Sequence, residues 1–415
     1  MSCKKDQQRK DEWNLQSLQV TGFKLKNELA TLDTPKLNAM NAEQTPRIRT
    51  KPKERLQSLD TLRGFDMAML VGGAGIIIAL AKLTGWEWMK AVATQMHHVK
   101  WEGFRFYDLI FPLFMFISGV AIPYAINSKV EKGVAKSLLF RKIFIRLLAL
   151  IGFGFLYNGL LSRGFPDFRY VSVLSQIGFG YFFAALISLY SKSIKVLIYW
   201  LLGIMGGVAV LQLFVPVPGY GAGTFEPGTS INAWLDQLLI PGRLYGEVFD
   251  PEGVLCIVSA VTITMMGALA GYIIRSGKSA PAKKALYIAL AGIGAIVVAQ
   301  ILSPVYPIIK SMWTASYVLK AAGVSALLLA LFYYVIDVKE SRNWTLFFRV
   351  FGMNSIAIYM ADRIIDFHGI SRFFMGWTSA HFNEQWGALF IAMGVLTIQW
   401  ALMLFLYRRQ IFLRV

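Results

Sequence analysis

The sequence predicts an all-α protein, a polytopic bundle of about ten transmembrane helices with both termini in the cytoplasm. Three observations predict it. The 415-residue chain is 56% hydrophobic and only 16% charged, with a mean hydropathy of +0.51, too apolar for a soluble domain of this size. Several stretches run for about 18 residues or more with almost no charge, the length that crosses a hydrocarbon core of roughly 30 Å. Lys and Arg on one set of alternate loops outnumber those on the other by about three to one, which puts both termini inside.

The elements follow in chain order. Residues 1–54 form a flexible polar cytoplasmic tail with one amphipathic turn around "LQSLQVTGFKLKNELATL" and no apolar signal region, so the first span is expected to direct insertion. Residues 55–415 form the transmembrane domain. Its spans are read at 64–82, 106–127, 142–160, 171–190, 194–214, 253–274, 285–302, 316–336, 346–362 and 387–407. The net charge of +18 is an orientation signal for a chain that meets membrane lipids. No basic stripe with interleaved aromatics points to nucleic acid. Cys3 falls in the tail and Cys256 inside a span, so no disulfide is expected. Gly267 and Gly271, four apart in an apolar helix, fit close helix packing.

Polar and aromatic residues gather in the noncytoplasmic loops 83–105, 215–252 and 363–386. Two of the four histidines, His97 and His98, precede the second span. Adjacent loop residues point in different directions, so only one of the two serves a site. Asp108 falls in the first turn of that span. A carboxylate there interacts with the helix N-terminus, and it also suits holding a histidine's second nitrogen during proton transfer. Interfacial decoration beside Trp101 is the competing explanation.

Asp60 and Arg63 form an i,i+3 pair at the start of the first span, with Asp66 one turn deeper. Arg141, Lys142 and Arg146 are positive-inside anchors that could also bind a nucleotide's phosphates. Asp250 and Glu252 flank a proline before the sixth span, and Lys310, Trp313 and Tyr317 recur at helical spacing. No Walker, dinucleotide, G-x-S-x-G, H-E-x-x-H or cysteine-cluster motif is present, so no metal is expected.

Six landmarks in order resemble one family, the heparan-α-glucosaminide N-acetyltransferases and their bacterial relatives. "RLQSLDTLRGFDMAMLV" is similar to the family's opening motif, and "HHVKWEGFRFYDLIFPLFMFISG" to H-x-x-W-x-G followed by D-L-x-F-P. "VSVLSQIGFGYF", "FDPEGVL", "KSMWTASYVL" and "FGMNSIAIYM" resemble the later ones. The resemblance implies a transmembrane enzyme of the bacterial inner membrane. It would move an acetyl group from cytoplasmic acetyl-CoA to an amino sugar or other glycan on the far side, and it would form a homodimer. Its catalytic histidine, three before the tryptophan, falls on His98, leaving His97 as the bystander, and Asp108 is its partner. Arg63, Arg141, Lys142 and Arg146 are then the expected acetyl-CoA contacts. Trp101, Glu252, Lys310, Trp313, Tyr317 and Asn354 are the expected acceptor-site residues.

The chain departs from the family where Gly72, Glu102, Ile309 and Ser311 replace amides, and where Ile177 replaces an arginine. Lost amides change acceptor choice strongly. The rival classes are a transporter of a sugar, peptide or lipid fragment, which uptake independent of acetyl-CoA would reveal, and a catalytically silent scaffold, which would bind no CoA.

Overall fold

The computed structural model describes residues 56–164, 167–191 and 193–413. The tail and its expected amphipathic turn lie outside them. Among the described residues all regular structure is helical, with only isolated β-bridges between loops. Eight helices among the described residues are long and apolar enough to span a membrane. They are α1 (Gln57–Thr84), α3 (Phe106–Val130), α5 (Val173–Tyr190), α6 (Ile194–Phe214), α8 (Val254–Arg275), α9 (Pro281–Leu302), α10 (Ala315–Val338) and α14 (Glu384–Arg408). Shorter helices sit between them: α2 (Glu87–Thr94), α7 (Ile231–Leu239), α11 (Thr345–Met353), α12 (Ser355–Ile364) and α13 (Phe367–Met375).

The two other expected spans take different forms. The third is α4 (Lys136–Tyr157), continuous but carrying Lys136, Arg141, Lys142 and Arg146 in its first half. The ninth is broken into α11 and α12 at Asn354, whose backbone leaves the helical region (φ −127°, ψ 35°). Asn354 donates through Nδ2 to the Ile411 carbonyl at 2.9 Å and accepts from the Leu413 amide at 3.1 Å. Gly352 packs on the Asp60 backbone. The start of α1 and the end of α14 therefore share one end of the bundle.

Burial separates centre from rim. α3 and α8 have 72% of their apolar windows buried, against 17% for α6 and 22% for α9. The α3–α8 crossing is close because glycines face backbone. A Cβ on Gly119 would lie 1.9 Å from the Thr264 carbonyl oxygen, and one on Gly267 2.0 Å from that of Phe116. Gly271 meets Val120 in the same way. Small residues permit this approach where lipid supplies no hydrophobic drive between helices. Backbone cannot yield as the tip of a side chain does, so Gly267→Leu should cost at least about 3 kcal/mol, the upper end of ordinary overpacking. Loss of the monodisperse peak on size-exclusion chromatography in detergent would register it; an unchanged peak would refute the crossing.

This central crossing fixes α3, and α3 carries the polar end described next. π-helical turns interrupt α1 at Met69–Gly73 and α3 at Pro123–Asn127. Such turns are rare and concentrate at functional sites.

Candidate active site

The loop before α3 is anchored at both ends. Gln95, which ends α2, accepts the Phe106 amide through its side chain at 3.2 Å and the Tyr107 amide through its carbonyl at 2.9 Å. Gly103, at φ +121°, donates to the Ile308 carbonyl at 2.9 Å, and Glu102 bridges to Ile309. The loops 95–105 and 306–314 are thus laced together, which brings Lys310 beside His98.

Asp108 is the hub. It is fully buried at the third position of α3, where its Oδ2 accepts the Arg105 amide at 3.1 Å and the Val99 amide at 3.3 Å. Its Oδ1 lies 2.7 Å from His98 Nδ1 and accepts from Lys310 Nζ at 3.3 Å. A carboxylate only accepts, so the 2.7 Å contact assigns the His98 proton to Nδ1 and leaves the Nε2 lone pair free. Lys310 Nζ also sits 3.1 Å from Nδ1. Its positive charge opposes formation of the imidazolium, whereas Asp108 favours it. Burial holds the Lys310 ammonium below its usual range, against the opposing pull of Asp108.

Aromatic packing fixes this arrangement from behind. The Tyr317 hydroxyl donates to the Asp108 carbonyl at 2.9 Å. Trp313 takes a left-handed conformation (φ 49°) that closes the 3-10 turn carrying Lys310, an uncommon choice for a bulky residue costing roughly 1–3 kcal/mol. Its ring packs edge-on to Phe111 and Tyr317. Gln212 and Asn232 both donate to the Met312 carbonyl, at 2.9 and 3.2 Å, and hold the turn from α6 and α7.

His98 is half-exposed and lines two cavities. The first, about 240 Å³, follows α3 from Tyr107 down to Phe114, a drop of about 10 Å at 1.5 Å per residue, and on α1 it reaches Asp66. Glu252, Lys310 and the stacked pair Tyr157 and Tyr359 complete its polar wall. Asp66 is 1% exposed, and neither carboxyl oxygen has a hydrogen-bond partner among the described residues. The second cavity, about 380 Å³, is lined by His97, His98, His368, Tyr107 and the π-helical turn of α1.

Glu252 enters through a buried ion cluster. Arg169 clamps Asp250 with Nε at 2.7 Å and a terminal nitrogen at 2.5 Å, and the same terminal nitrogen also contacts Glu252. Asp236 holds the turn by accepting the Asp250 and Val254 amides at 3.1 and 2.9 Å. One guanidinium between two carboxylates cannot neutralise both. Burial pushes the Glu252 carboxyl up to about 7, despite the opposing pull of Arg169. A pKa raised on folding gives stability that is present in full below the unfolded value and lost as pH rises through the folded one. Thermal stability in detergent should therefore fall as pH rises from about 5 to 8, and Glu252→Gln should flatten that part of the profile. An identical slope in the variant would reject the assignment.

Of the residues expected from sequence, the structure brings together His98, Asp108 and Lys310, with Glu252 on the shared first cavity. Trp313 and Tyr317 stand behind them in the core. Trp101 donates to the Phe225 carbonyl at 2.8 Å and packs on Phe249, so it ties the long loop down. Asn354 lines neither cavity and secures the chain near residue 411. Arg63 lies 3.9 Å from Asp60, one turn before Asp66. Arg141 and Lys142 are exposed on α4, and Arg146 lies over the Tyr181 ring at 4.1 Å. None of these four basic residues lines a cavity that reaches His98. Sequence reading gave no role to Arg169, Tyr157, Tyr359 or His368. The one available signal for Arg169 was that its loop falls on the same expected side as the acids of "FDPEG".

A family model described as a domain of unknown function (DUF5009) matches residues 55–215. Over 385 residues the chain is 25% identical to the heparan-alpha-glucosaminide N-acetyltransferase of Mus musculus, covering 79% of this chain and 56% of that protein. Over 374 residues it is 26% identical to the Homo sapiens protein of the same name, covering 75% and 53%. The chain spans about half the length of these curated relatives.

Proposed function

We propose that this chain, a distant relative of the heparan-α-glucosaminide N-acetyltransferases, is a multi-pass membrane acyltransferase of the bacterial inner membrane. Its donor is acetyl-CoA, supplied from the cytoplasm, and its acceptor is an amino sugar or other glycan on the opposite face. The observation that carries the reading is the His98–Asp108–Lys310 constellation at one end of a cavity that follows α3 and α1 toward Asp66. A slender acyl-bearing arm suits such a shaft. None of the four expected basic residues lines this shaft, so the donor's phosphates would lie beyond it, where Arg63 on α1 and Arg141, Lys142 and Arg146 on α4 offer positive charge.

Chemistry follows from the tautomer. With Nδ1–H committed to Asp108, Nε2 can take the proton of the attacking amine or hydroxyl, or accept the acetyl group for onward transfer. In the direct route the carbon–sulfur bond breaks as the carbon–nitrogen or carbon–oxygen bond forms, and Nε2 passes the acceptor's proton to the departing thiolate. In the two-step route the carbon–sulfur bond is first exchanged for an Nε2–acetyl bond as the thiolate leaves. The acceptor's attack then breaks that bond, and the freed Nε2 takes the acceptor's proton and gives it to the thiolate. Asp108 stabilises the imidazolium, and Lys310, whose Nζ lies 3.1 Å from His98 Nδ1 on the same cavity wall, is our candidate for the acceptor pocket and for donation to the developing oxyanion. General-base help is worth roughly 10²–10⁴-fold, and fixing both reactants in line adds to it.

The test incubates purified protein with acetyl-labelled acetyl-CoA and a panel of amino sugars, and analyses both product and protein. Acetylated sugar supports the reading, and label retained on the protein selects the two-step route. Binding of neither donor nor acceptor would overturn it. Separately, CoA should raise the melting temperature more than dephospho-CoA does; equal shifts would remove the basic residues from the donor site.

A further inference from the structure

We infer that the groove between α5, α6 and α8 binds an anionic phospholipid, with one acyl chain along the groove and the phosphate against Lys136 and Lys195. The groove shares no residue with either cavity at His98, so the lipid site stands whether or not the acyl-transfer reading does. Only three residues separate α5 from α6 in the chain, yet α6 packs on α8 far more than on α5. The splay leaves a space of about 710 Å³, within the roughly 300–1,000 Å³ typical of small-molecule sites.

Its length and lining fit one lipid chain. Gln176 donates to the Cys256 carbonyl at 3.0 Å, which sets Ile257 and Val258 of the groove level with the first turns of α5. From that level to Ser191 at the far end, α5 advances about 22 Å at 1.5 Å per residue. One leaflet supplies about half of a hydrocarbon core of roughly 30 Å, so the groove takes a whole chain. Apart from Tyr190 and Ser191, every residue of its walls is apolar. Such walls offer no partner to a sugar, a nucleotide or a peptide, and they suit hydrocarbon.

The polar end of the groove is also where positive charge stands. Lys136 of α4 places Nζ 5.3 Å from the centre of the Tyr190 ring. Lys195 precedes Val196 of the groove wall in the first turn of α6. Leu139, Leu189 and Leu197 pack in one buried cluster, which draws the lysine-bearing ends of α4 and α6 to the end of α5. Both lysines are exposed, and among the described residues neither pairs with a carboxylate. Two such ammoniums at the mouth of an apolar channel complement an anionic headgroup. A zwitterionic headgroup brings an ammonium of its own, which opposes them.

Full-length protein in detergent is titrated with phosphatidylglycerol or with phosphatidylcholine of the same chains, and bound lipid is counted by native mass spectrometry. The parent should bind one phosphatidylglycerol at least tenfold more tightly than phosphatidylcholine. Lys136→Ala combined with Lys195→Ala should erase that preference. Lys278→Ala combined with Lys283→Ala removes the same charge from exposed positions at the start of α9 and should keep it. Val258→Trp fills the groove from a side chain that is 39% exposed, and it should weaken phosphatidylglycerol at least tenfold. Val298→Trp, on the exposed face of α9 and outside the groove, should not.

Equal affinity of the parent for the two lipids overturns the headgroup assignment, as does equal loss of preference in the two lysine pairs. Parent-like binding by Val258→Trp overturns the groove. A dimer that Val258→Trp splits while lipid stays bound would give the groove to a second copy of the chain instead.

Discussion

His98→Ala should lower acetyl transfer by roughly 10²–10⁴-fold, the range lost with a general base, while leaving the protein folded and acetyl-CoA bound. The ring is half-exposed, so its removal leaves no buried cavity and costs little stability. What disappears is the one free Nε2 lone pair at the junction of the two cavities. Steady-state kinetics should show the loss in kcat, with the KM of either substrate nearly unchanged. Transfer within tenfold of the parent would remove the residue from the chemistry.

Asp108→Asn should be nearly as damaging, about 10³–10⁴-fold by analogy with tautomer loss in catalytic triads, and it should also destabilise. The carboxylate accepts from the imidazole, the Lys310 ammonium and two backbone amides. An amide has one acceptor oxygen, so it must point its own N–H groups at donors or release the ring. The Lys310 charge would also lose its partner, a loss of roughly 1–3 kcal/mol. Adding Lys310→Met removes that charge. The double variant should regain thermal stability yet stay inactive. Recovered activity in it would mean that Asp108 serves folding alone.

Sequence patterns reach as far as local physical demands do and stop where distant contacts decide. Apolar runs located seven of the eight spans to within about four residues, because a membrane demands a minimum length of uninterrupted helix, whereas the first begins at Gln57, seven residues before its expected start, in the polar turn that holds Asp60 and Arg63. The break at Asn354 was invisible, since it depends on hydrogen bonds to residues 411 and 413 far along the chain. The His98–Asp108 pair was legible because both residues flank one helix start. Lys310 was legible only as a member of a cluster, since its approach needs the lacing of loops more than 200 residues apart. Arg169 and His368 were missed for the same reason: their partners come from other helices and loops. Arg141, Lys142 and Arg146 illustrate the converse. Their spacing in sequence marks one helix end, but helix rotation and the Tyr181 ring decide what that end can reach.

The central claim is that one imidazole joins a donor supplied at one membrane face to an acceptor at the other. It is tested most directly in sealed proteoliposomes of fixed protein orientation, with acetyl-labelled acetyl-CoA inside and D-glucosamine outside. The account predicts labelled N-acetylglucosamine in the external medium, abolished by His98→Ala. Product formed only when both substrates share one compartment, or formed equally by the His98 variant, would contradict it.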